Sequence, residues 1–76
     1  MGKDAPSAGM TLPMADYLAA VAEHGVHAPE WLMAEGYPMK VIYAKAEKAA
    51  RKHYTDYGVA PHRGWLTSQG RTFLSR

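Results

Sequence analysis

The sequence predicts an all-α fold: a small three-helix bundle with a flexible N-terminal tail and a short C-terminal helix or strand. Three observations predict it. Apolar residues recur at helical spacing in three stretches. Each stretch opens near a proline (Pro13, Pro29 or Pro38) and closes at a glycine (Gly25, Gly36 or Gly58). Proline suits a first helical turn, where its missing N–H would be unpaired anyway, and glycine takes the left-handed conformation that ends a helix. Finally, 76 residues make one domain and no more. The expected division is a flexible tail over residues 1–10 and a single helical domain over 11–76.

"TLPMADYLAAVAEHG" reads as the first helix. Thr11 or its neighbour caps it, Asp16 sits near the positive end of the dipole, and Met14, Leu18 and Val21 form the inward stripe, flanked by Tyr17 and Ala22. "HAPEWLMAEG" reads as a short second helix, and most of Trp31, Leu32 and Met33 are expected to be buried. The third and longest helix is read from Pro38 to Gly58. Steps of about 100° per residue place Met39, Ile42, Ala46, Ala49, Ala50, His53 and Tyr57 on one arc, with Tyr43 at its edge. His53 in mid-arc is therefore expected to be buried and neutral. "WLTSQGRTFLSR" has two readings. Trp65–Thr67 pairs with Arg71–Leu74 as a hairpin, or Thr67 caps a short final helix. The second is preferred, because a lone two-stranded hairpin is marginal. In either case Trp65, Leu66, Phe73 and Leu74 are too apolar for a free end and are expected to dock.

A core of this size supplies roughly 3–5 kcal/mol of net stability. The chain has no cysteine, which excludes disulfides and thiolate metal sites and points to a cytoplasmic location. No apolar run approaches the ~20 residues of a membrane span. Residues 1–10 lack a signal peptide's apolar stretch, and Pro6 stands where a myristoylation motif wants Ser or Thr. The net charge of +2 conceals an asymmetry. Residues 1–39 hold one lysine against five acids, and residues 40–76 hold eight lysines or arginines against two acids. Such a split suggests either a face tuned to an anionic partner or two segments whose fields cancel.

Catalysis requires a nucleophile beside a base, or paired carboxylates, in a cleft that excludes water. Ser68, Ser75 and the threonines lie in no such motif, and no glycine-rich phosphate loop is present, so no enzymatic activity is expected. His24, His27, His53 and His62 are the available imidazoles, but each has a structural reading, and His24-x-x-His27 spans a helix end; no metal or other cofactor is expected. The opposite arc of the third helix carries Lys40, Lys45, Lys48, Arg51 and Lys52, with Glu47 and Asp56 at its borders. Dipole compensation accounts for the cations of the last turns but not for Lys40 at the positive end. An anionic partner accounts for all five.

Two stretches resemble the broad helix-turn-helix class. In Leu18–Gly36, Ala20, Gly25, Val26 and Trp31 fall where the motif has a small residue, a turn glycine and two apolar contacts. His24 departs from the pattern, and Glu30 and Glu35 on the would-be reading helix repel phosphate. In Pro29–Ala49, Gly36 makes the turn and the basic third helix becomes the reader, which electrostatics favours. The expected function is that of a small nucleic-acid-binding accessory or regulatory protein. Its contacts are Lys40, Lys45, Lys48, Arg51 and Lys52, extended by Arg63 and Arg71 if the tail folds beside them. The alternative is a protein-interaction module or regulatory adaptor using exposed aromatics and arginine. No membrane partner is expected, since the alanine-rich apolar arc is too weak to anchor. Small binders often act as homodimers, though nothing in the sequence derives one.

Overall fold

A computed structural model describes residues 11–76; the expected tail over residues 1–10 lies outside them. The chain forms α1 (Met14–His24), a 3-10 turn (Gly25–His27), α2 (Ala28–Ala34), α3 (Met39–Arg51), β1 (Thr55–Tyr57), a second 3-10 turn (Pro61–Arg63), β2 (Gly64–Leu66) and α4 (Ser68–Leu74). The strands pair antiparallel, Thr55 opposite Leu66 and Tyr57 opposite Gly64.

The expected all-α three-helix bundle is thus corrected: four helices share the described chain with a two-stranded sheet. α1 is the element on which the others assemble, packing against α2, α3, α4 and β2. The core joins Leu12, Tyr17, Leu18, Val21, Leu32, Ile42, Ala46, Ala49 and Leu66. Ala46 and Ala49 are fully covered, and their small side chains let neighbouring elements come close to the α3 axis. Pro13 occupies the position before α1 with extended backbone and no side-chain cap, so Thr11 does not cap that helix. Gly25 ends it at φ 60, a backbone that a side chain would strain.

The largest difference from the sequence reading lies at the end of α3, which stops at Arg51 instead of continuing to Tyr57. His53 has φ 64. Its N–H donates to Ala50 at 3.0 Å, and that of Tyr54 donates to Ala49 at 2.9 Å. This is the Schellman pattern, here built without glycine. The left-handed step turns His53 out to solvent, so the expected buried histidine is exposed. It also redirects Thr55–Tyr57 into a strand.

The preferred reading of the tail holds, with Thr67 as the cap of α4: its hydroxyl accepts from the Gly70 N–H at 3.1 Å. The same hydroxyl donates to the His53 carbonyl at 2.5 Å. Thr67 N–H donates to Tyr54 O at 3.0 Å, and Gln69 Nε2 to Lys52 O at 3.1 Å. The start of α4 therefore sits on carbonyls at the end of α3, satisfying groups that a helix terminus leaves unpaired. Leu66 is buried and Phe73 and Leu74 are half-buried, but Trp65 faces solvent from the outer side of the hairpin. On α2 only Leu32 of the three large apolar residues is buried; Trp31 and Met33 are each 46% exposed. Trp31 instead stacks on His24, with centroids 4.6 Å apart.

Thr55 is 4% exposed, and its Oγ1 has no hydrogen-bond partner among the described residues. A buried hydroxyl left alone costs about 1–3 kcal/mol. Thr55→Val keeps the shape and removes the orphan, so it is expected to raise the melting temperature by several degrees, at about 4–8 °C per kcal/mol for a domain of this size. A lower melting temperature would mean that the hydroxyl is satisfied in solution.

Candidate nucleic-acid interface

The register of α3 is fixed by its buried face. Ile42, Ala46 and Ala49 point into the core, so residues on the other side of the helical wheel face outward. Lys40, Lys48, Arg51 and Lys52 are exposed, and Lys45 is half-buried. Among the described residues no ion pair engages any of the five; the pair found there joins Arg63 to Glu30.

Two shallow depressions flank the basic face. One, of about 360 Å³, is lined by Thr11, Leu12, Val41 and Ala44 together with Lys45, Lys48 and Arg51. The other, of about 220 Å³, is lined by Met14, Tyr54 and Phe73 together with Lys45, Lys48 and Lys52. Lys45 and Lys48 line both, and so form a cationic ridge between two partly apolar hollows. The Tyr54 and Phe73 rings lie 4.9 Å apart at 41°, and the Arg76 guanidinium carbon is 5.6 Å from the Phe73 centroid. At that distance the cation gains from the electron-rich ring face.

Two further depressions lie on the other flank of α3, sharing Glu47 and Pro61. The Tyr43 and His62 rings meet there at a tilt of 43°, with centroids 4.4 Å apart. Arg51 lines one of them, but Glu47 lines both, and a carboxylate makes this flank the poorer seat for an anion.

The sequence-predicted cations separate in space and in role. Lys45, Lys48, Arg51 and Lys52 come together around the two basic depressions, whereas Lys40 is exposed at the start of α3 and lines neither. Arg71 is exposed on α4 and lines neither as well. Arg63 is engaged elsewhere: its guanidinium donates to both carboxylate oxygens of Glu30, with Nη1–Oε1 at 2.6 Å, and to the Val26 carbonyl at 2.8 Å. It ties the second 3-10 turn to α2 instead of extending the basic face. Glu23 and Glu35 line neither basic depression. The reading from sequence misses Met14, Tyr54, Phe73 and Arg76. Tyr54 falls on the wrong side when the helix is continued through it, and no local signal marks His53 as the residue that turns the chain.

The side-chain hydrogen bonds from Arg63 hold the Glu30 carboxyl down to about 2, aided by a backbone hydrogen bond and by nearby positive charge. The folded value is thus below the unfolded one, near 4.3. The pair's stabilisation is present above about 4.3 and is lost as pH falls toward 2. Both side chains are solvent-accessible, so the effect is small. The melting-temperature gap between wild type and Glu30→Gln is expected to be open at pH 6 and to close by pH 2. A gap unchanged over that range would show that the pair contributes nothing.

Among the described residues no helix is long and apolar enough to cross a membrane, and no cluster of three or more His, Asp or Glu is placed to hold a metal ion. No protein-family model, no curated protein and no solved structure matches the chain.

Proposed function

We propose that the protein is a small nucleic-acid-binding accessory or regulator whose contact surface is the outward face of α3. The observation that carries this reading is the convergence of Lys45, Lys48, Arg51 and Lys52 on two adjoining depressions, with no acidic residue among the described lining. A row of like charges is a cost to a folded chain, since lysines four apart on a helix repel. It becomes a gain when the charges neutralise phosphates and release condensed counterions. Lys40 extends the row toward the start of the helix. A cytoplasmic location goes with this reading, as the cysteine-free composition suggests.

The test is an anisotropy titration of labelled DNA and RNA oligonucleotides with the purified protein. At physiological salt the expected dissociation constant lies in or below the non-specific range of ~10⁻⁴–10⁻⁶ M. Binding weaker than ~10⁻⁴ M to every oligonucleotide would return the row to being a solvated helix face.

A second reading, a protein-interaction module, is favoured by one observation: Trp31, Met33, Tyr57 and Trp65 are each more than 40% exposed. Exposed aromatics are enriched at interfaces. Arg63, expected from the sequence to extend the basic face, is already paired with Glu30. A partner held by these aromatics would bind with little dependence on salt.

A further inference from the structure

We infer that the α3 surface takes a single strand in preference to a duplex, with an unstacked base seated between Met14, Tyr54 and Phe73. This rests on the nucleic-acid reading above and names its substrate class. Phosphates need only cations, and a plain basic helix face would supply those to a duplex and to a single strand alike. Here the cations are interleaved with apolar and aromatic surface. Lys45 and Lys48 form the ridge, and each side of it falls into a hollow. On one side the hollow holds two aromatic rings and a methionine, with Lys52 at its rim. Arg76 at the Phe73 ring adds a further cation beside it.

A strand crossing that ridge places its backbone on the two lysines and swings a base to one side. A free base has an apolar face to bury and gains by contact with an aromatic ring, whatever its identity. A duplex keeps its base faces stacked within the helix and offers these rings nothing but phosphate and sugar. The depressions on the other flank of α3 have aromatics too, but Glu47 lines both, so the backbone of a strand is repelled there.

The test compares one mixed-sequence DNA strand with its own duplex, titrated against wild type, Phe73→Leu and Lys48→Glu. Leucine keeps apolar bulk at position 73 and removes the ring. Phe73→Leu is expected to weaken single-strand binding about tenfold and to leave duplex binding unchanged. Lys48→Glu is expected to weaken both. Because Phe73 also packs against the core, a measurement on the unaltered protein accompanies these. Ring-proton resonances of Tyr54 and Phe73 should shift on addition of the single strand and stay in place with the duplex. If Phe73→Leu weakens both ligands equally, or neither, or if the ring resonances ignore the strand, the single-strand inference is overturned while the basic face stands. If wild type binds neither ligand, both readings fall.

Discussion

Gly70→Ala is expected to destabilise the protein by about 2 kcal/mol, within the usual range for overpacking a filled site. In an ordinary exposed helix the same change would stabilise it by up to ~1 kcal/mol, because alanine favours helix over glycine. The sign reverses here because a Cβ at position 70 would run into the Tyr54 carbonyl, with Leu66 Cδ2 only 3.2 Å away on another side. The carbonyl belongs to the backbone and already accepts the Thr67 N–H. It moves only if α4 lifts off the end of α3. Set against roughly 3–5 kcal/mol for a core of this size, such a loss takes about half the stability. The melting temperature should fall by roughly 8–16 °C. Gly58→Ala is the control, since nothing lies within 4 Å of an added Cβ there. A Gly70→Ala protein as stable as wild type would mean that α4 is not seated on Tyr54.

The paired substitution Lys48→Glu with Lys52→Glu is expected to reduce nucleic-acid affinity by about 10–100-fold at physiological salt, equally for all sequences. Each reversal removes one cation and sets an anion against phosphate. Both residues are exposed, so the core is untouched. Two acids near the negative end of α3 do cost about 0.3–1 kcal/mol each through the helix dipole. The neutral pair Lys48→Gln with Lys52→Gln separates that cost from the loss of binding. Binding that is indifferent to both pairs would remove Lys48 and Lys52 from the interface.

Much of the helical frame is legible in the sequence because its signals are local. Pro38 at the start of α3, Gly25 at the end of α1 and the Leu18–Val21 stripe each act within a turn or two of the chain. The turn at His53 is not legible. Nothing in "RKHYTDYG" distinguishes a histidine that continues a helix from one that takes φ 64. Distant residues make the choice, since the carbonyls of Lys52, His53 and Tyr54 are taken up by Thr67 and Gln69 far along the chain. The β1–β2 hairpin escapes the sequence reading for a related reason. Its strands are three residues each, too short for a period of two to show. A glycine inside a helix ordinarily weakens it, but Gly70 is the residue that allows the close approach to Tyr54. In the candidate interface, the lysines are legible from helical periodicity alone. The hollow beside them is not, because Met14, Tyr54 and Phe73 come from three separate parts of the chain.

If the outward face of α3 binds phosphate, its affinity for nucleic acid must depend steeply on salt. Log affinity for a DNA oligonucleotide, measured by anisotropy over a range of monovalent salt, should fall linearly with log salt concentration. For contacts from Lys40, Lys45, Lys48, Arg51 and Lys52 the expected slope is about −3.5 on a single strand and about −4.5 on a duplex. A slope near zero, with whatever affinity, would mean that the α3 face does not bind phosphate and would assign any binding to the exposed aromatic surface instead.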